Sequence, residues 1–118
     1  MTDQTTSQTV IIINKAGMGD APPDLQSKLI TVFMTLLIEG DDPLPSAICL
    51  YTEGVKLAAQ DSPILAQLTE LQTRGVHIII CGTCLDYYDL RDQIGVGVVG
   101  GMHDIMEALW RADKVITL

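Results

Sequence analysis

Two of the three cysteines in this chain stand three residues apart, in Cys81-Gly82-Thr83-Cys84. That spacing serves thiol–disulfide exchange or supplies half of a zinc site. Thr83-Cys84-Leu85-Asp86 has the form of a capping box, with Thr83 as N-cap and the Asp86 carboxylate reaching back to the Thr83 amide. Cys84 would then open a helix, where unpaired N–H groups and the positive end of the helix dipole lower a thiol pKa from about 8.5 toward 7 or below. Asp86 opposes that shift. Cys84 is the nucleophile candidate, and Cys81 is placed to resolve an oxidised or persulfidated Cys84 by forming a disulfide. The plainer alternative is two inert cysteines at a strand end; two of three thiols at a ligand edge weigh against it. Zinc would need Cys49 and His103 as further ligands, with no second CxxC and no HxxxH to supply them, so no metal is expected. A thioredoxin-like site is disfavoured because the pair follows the third predicted strand instead of the first.

Other residues could line the same site. Gly17-Met18-Gly19-Asp20 looks like a phosphate-binding loop, but Pro22 stands where the third glycine of a dinucleotide fingerprint belongs. Its glycines are read as a sharp turn at the site's mouth, with Asp20 or Asp24 capping the next helix. His103 falls in the first turn of a predicted helix, where the dipole disfavours imidazolium, and is a candidate neutral donor or acceptor near the thiols; a plain surface histidine is the alternative. His77 is expected to be packed within its strand, and Cys49 to be a small buried hydrophobe. Asp86, Asp89 and Asp92 read as a solvated face, or as a surface that orients a basic partner.

The elements that must position these residues follow from apolar periodicity. Strands are predicted at Val10–Ile13, Ala47–Tyr51, Val76–Ile80, Val96–Val99 and Lys114–Leu118. Between them, helices are predicted at Leu25–Glu39, Gly54–Ala59, from the Ser62-Pro63 cap to Arg74, Leu85–Ile94 and Met102–Arg111. Alternation of this kind implies an α/β domain with three α/β/α layers and about five mainly parallel strands. In such sheets ligands bind outside the carboxyl ends of the strands, where the glycine loop, the Thr52-Glu53-Gly54 turn, the cysteine pair and Gly100-Gly101-Met102-His103 collect. The Leu25–Glu39 helix carries one apolar face of Leu25, Leu29, Val32, Phe33, Leu36 and Leu37. A second apolar row of Ile30, Met34 and Ile38 makes the stripe wider than one sheet covers, which predicts burial against another subunit.

Size and composition agree. The 118 residues fit one domain, expected at 10–118 behind a flexible N-terminus at 1–9. Seven basic against fifteen acidic residues give a net charge of −8, which repels nucleic acid and anionic lipid. The apolar runs are too short to span a membrane, and no signal peptide is visible, so the cytoplasm is the expected compartment. Aromatic residues make up 4 %, too few for a base-stacking surface.

Taken together, Cys81-Gly82-Thr83-Cys84-Leu85-Asp86-Tyr87-Tyr88, Met18-Gly19-Asp20, Gly54-Val55-Lys56-Leu57-Ala58 and Ala112-Asp113-Lys114-Val115-Ile116-Thr117 resemble the DsrE/DsrF-like family, in particular the DsrE-like domain of YedF-type proteins. The resemblance implies a small α/β domain that assembles as a trimer or hexamer and passes sulfane sulfur as a cysteine persulfide. Its active cysteine stands at the start of the helix after a strand, the position of Cys84. It also implies sulfur donor and acceptor proteins as partners, among them a TusA-like carrier. No cofactor is needed, because the transferred atom rides on the side chain. The competing expectation is a non-catalytic oligomeric module that binds a ligand or protein, with structural or redox-sensing cysteines.

Overall fold

A computed structural model describes residues 8–118. Five short strands form β1 (Thr9–Ile13), β2 (Ala47–Leu50), β3 (His77–Cys81), β4 (Val98–Gly100) and β5 (Lys114–Thr117). All pair in parallel, in the order β4-β3-β2-β1-β5. The central strands are β-branched and apolar, and they pair like with like: Ile11 lies beside Ile48, which lies beside Ile78. Both faces of this centre are buried, as expected of a parallel sheet covered on two sides.

The helices are α1 (Pro23–Glu39), α2 (Leu65–Thr73), α3 (Gly82–Tyr87) and α4 (Met102–Arg111). Three successive steps from β1 to β4 move the chain in one direction, and right-handed crossovers put α1, α2 and α3 on one face. The step from β4 back to β5 reverses that direction and sends α4 to the other face. Side chains agree with this: Ile11 and Ile116 share a groove with Phe33 and Leu37 of α1, whereas Val10, Ala47 and Ile79 line a cleft with Ala108 of α4. The architecture is the expected three-layer α/β/α.

Several local expectations are corrected. Pro22 and Pro23 start α1, where a missing N–H costs nothing, and Asp24 sits in the first turn without capping it. On α1 the buried residues are Ile30 and Met34, while Leu25, Leu29, Val32 and Leu36 are exposed, up to 61 % at Leu36. The sheet thus takes the Ile30, Met34 and Ile38 row together with half-buried Phe33 and Leu37, and the rest of the wide stripe stays outside. The segment after Tyr51 is a 3-10 turn over Thr52–Ala58. Helix α3 ends at Tyr87 instead of Ile94, because Asp89 adopts a left-handed backbone and a separate 3-10 turn, Arg91–Gln93, follows. His77 opens β3 at the sheet's amino end and is exposed, not packed. The other strands differ from expectation by a residue or two at their ends. Of the N-terminus expected to be flexible, residues 1–7 lie outside the described residues, and β1 already begins at Thr9. Among the described residues no helix is long and apolar enough to cross a membrane.

Candidate functional site

β3 delivers Cys81 to the carboxyl edge of the sheet, and α3 follows at once. Cys81 itself is the N-cap, so Cys84 is the third residue of the helix, not the first. The Thr83–Asp86 capping box does not form. Asp86 instead takes a two-pronged ion pair from Arg91, with Nε to Oδ1 at 2.8 Å and Nη2 to Oδ2 at 3.0 Å. Arg91 Nη2 also donates to the Gly82 carbonyl at 3.3 Å. A guanidinium matched to both carboxylate oxygens outcompetes one backbone amide, and it holds the Asp86 carboxyl below its ordinary range.

Cys81 is buried and Cys84 is partly buried. Three residues apart around the first turn of α3, Cys81 disfavours the charged form of Cys84. Cys84 Sγ accepts a hydrogen bond from the Thr52 backbone N–H at 3.1 Å, from a residue just past the end of β2. Thr52 Oγ1 in turn donates toward the carbonyls of Asn14 and Tyr51, at 2.6 and 2.7 Å. Thr52 thus ties the ends of β1 and β2 to the thiol that follows β3. Gly54 makes this possible: a Cβ there would sit on the Ile13 carbonyl oxygen, so only glycine lets the turn close against β1.

Burial raises the Cys84 pKa above the ordinary 9.0, and the neighbouring Cys81 raises it further; the Thr52 N–H opposes both. The sequence sets the helix terminus against Asp86 without deciding the net shift; in the fold burial and Cys81 tip it upward. The sulfur lies three residues into a short helix and is bonded by a neighbouring strand end, not by its own helix amides. Cys49 lies in β2 between Ile12 and Ile79, and burial pushes its thiol up to about 11.

The other sequence-predicted residues are less concentrated. Gly82 is buried at the start of α3 and Thr83 is exposed beside Cys84. Gly17 packs against Gln26 of α1; Met18 N–H donates to the Gln26 carbonyl, and Gln26 Nε2 donates to the Gly19 carbonyl at 2.7 Å. The loop's hydrogen bonds thus run to α1, and Asp20 is exposed and caps nothing. His103 is exposed on α4, in a shallow depression with Met106, Glu107 and Trp110, and no hydrogen bond joins it to a thiol. Cys49 and His103 do not join the pair as a metal site; among the described residues no three His, Cys, Asp or Glu are grouped to hold an ion. Sequence reasoning places the Thr52 turn at this edge but assigns Thr52 no role and overlooks Asn14 and Arg91. A polar residue directly after a buried strand and two before a glycine was the available signal.

The family model described as DsrE/DsrF-like matches residues 9–118. Among solved structures, the YchN protein from E. coli aligns with a TM-score of 0.71 at 19 % identity, over 96 % of this chain and 100 % of that one. MTH1491 of Methanobacterium thermoautotrophicum, a protein of unknown function, aligns with a TM-score of 0.65 at 19 % identity, over 93 % and 97 %. BT1422 of Bacteroides thetaiotaomicron, likewise of unknown function, gives 0.63 at 19 % over 94 % and 95 %. Likeness at this identity establishes the fold. A search of the curated proteins gives no match.

Proposed function

The chain belongs to the DsrE/DsrF-like family, and on that premise we propose that it is a persulfide carrier in a sulfur relay, with Cys84 holding the sulfur. The observation that supports this reading best is the partly buried Cys84 Sγ at the carboxyl edge, 3.1 Å from the Thr52 N–H and beside Cys81. In loading, the Cys84 thiolate attacks the outer sulfur of a donor persulfide. The donor S–S bond breaks, Cys84-S-SH forms, and the donor leaves as a thiolate. In unloading, an acceptor thiolate attacks that outer sulfur, and Cys84 leaves as the thiolate. Alternatively, Cys81 attacks the inner sulfur: a Cys81–Cys84 disulfide forms, the outer sulfur departs as hydrosulfide, and the two cysteine sulfurs supply the two electrons it gains. No metal or organic cofactor takes part.

The raised Cys84 pKa makes loading faster as pH rises toward the alkaline range, since only the thiolate attacks. The reading places the protein in the cytoplasm. It takes donor and acceptor proteins, a TusA-like carrier among them, as partners, with no role for nucleic acid or membrane, and a trimer or hexamer as the working form. The exposed aliphatic row on α1 supports that assembly.

The raised pKa also favours a second reading, a binding module whose cysteines are structural or redox-sensing. Intact mass after incubation with a persulfide donor separates the two. The carrier gains about 32 Da on Cys84, removable by dithiothreitol; Cys84→Ser loses the adduct and Cys81→Ser keeps it. No adduct on either cysteine, with both thiols slow to alkylate, overturns the carrier in favour of the module.

A further inference from the structure

Thr52 has a φ of +47°, in the left-handed region. A β-branched side chain is a genuine outlier there, and such a residue persists only where its surroundings over-determine it. The surroundings here are explicit. Its Oγ1 lies between two carbonyl oxygens, Asn14 at 2.6 Å and Tyr51 at 2.7 Å, and donates its one proton toward them. Tyr51 N–H is tied to the Ile13 carbonyl at 3.2 Å, and Gly54 is pressed against that same oxygen. The group this clamped backbone presents is the N–H that reaches Cys84 Sγ.

We propose that Thr52 is the positioning residue of this site, its hydroxyl clamping a left-handed backbone so that its amide N–H is aimed at the Cys84 sulfur. The purpose assigned to it rests on the carrier reading. A donor fixed before the reaction stabilises negative charge on sulfur twice, when Cys84 becomes a thiolate to attack the donor persulfide and when it leaves as the acceptor takes the outer atom. It also opposes the burial and the Cys81 thiol, which both disfavour that charge. Glycine would adopt this φ without strain but has no hydroxyl to hold it. Threonine accepts the strain and supplies the clamp.

The test is the pH profile of iodoacetamide alkylation at Cys84, read by fragment mass, with circular dichroism to check folding. Thr52→Val keeps the shape and removes the clamp. Its Cys84 rate is expected to fall about tenfold at neutral pH, the profile moving up by about one pH unit. Thr52→Ser keeps the hydroxyl and is expected to stay within about twofold of the wild type. A folded Thr52→Val with the wild-type profile, or a Thr52→Ser that shifts as far, overturns the proposal. If Thr52→Val does not fold, Thr52→Gly replaces it: a shift in the same direction supports the clamp, and an unshifted profile overturns it. Persulfide uptake by the wild type is scored separately. No uptake with a shifted Thr52→Val profile sinks the carrier and leaves the positioning role standing; normal uptake with an unshifted profile does the reverse.

Discussion

Of the three cysteines, Cys49 and Cys81 are buried and Cys84 is only partly so, and their neighbours set them further apart. Cys49 sits in mid-sheet, and burial alone raises its pKa from 9.0 to about 11. The folded protein holds this proton more tightly than the unfolded chain, so the associated stability is fully present below about pH 9 and is lost as pH climbs toward 11. Urea midpoints measured through that range are expected to fall more steeply for the wild type than for Cys49→Ala; parallel slopes would refute the assignment. At Cys84 the competition is closer, because the Thr52 N–H offsets part of what burial and Cys81 impose. At Asp86 the expected cap loses to Arg91, five residues on. The capping-box pattern in a sequence counts one possible partner for the carboxylate; the folded chain offers it a better one.

Among the elements, the short turn after β2 matters more to the site than the long helices do. Its approach to β1 depends on Gly54, since a side chain there would have to displace the Ile13 carbonyl and with it the end of a buried strand. Gly54→Ala is expected to cost about 3 kcal/mol in chemical denaturation, at the upper end for overpacking against backbone. A loss below about 1 kcal/mol would show that the turn can move aside. Helix α1 teaches a different lesson. Its apolar residues make two adjacent rows, either of which satisfies helical periodicity, and the crossover from β1 to β2 turns Ile30 and Met34 to the sheet. Helix α3 was legible as a helix and illegible in length, because its stop is a left-handed Asp89 with no proline or glycine to announce it.

For the whole molecule, the row left outside on α1 is the largest consequence of that choice. Leu25, Leu29, Val32 and Leu36 lie along one side of the helix, each at least 41 % exposed. Four such residues in register form a patch that soluble monomers seldom show. If the proposed homo-oligomer closes over it, Leu29→Glu combined with Leu36→Glu is expected to reduce the mass seen by light scattering to that of a monomer while circular dichroism stays unchanged. An unaltered multimer would place the interface elsewhere, for instance over Met102, Met106 and Trp110 of α4. The net charge of −8 makes copies of the chain repel one another at long range, so any assembly depends on defined apolar contacts.

The class of fold, the approximate place of the five strands and the cysteine pair at their carboxyl edge were all legible along the chain. Each of these depends on local periodicity and on a general rule of parallel sheets. It also carried the family motif. Which row of α1 faces inward, that His77 and His103 are exposed, and that Arg91 takes Asp86 all depend on the assembled fold. It alone revealed Thr52, whose N–H and its sulfur partner are 32 positions apart. The physical reason is common to all of these. Burial and hydrogen bonding at a site belong to pairs of residues brought together by crossovers, and no pattern along the chain records which pairs will meet.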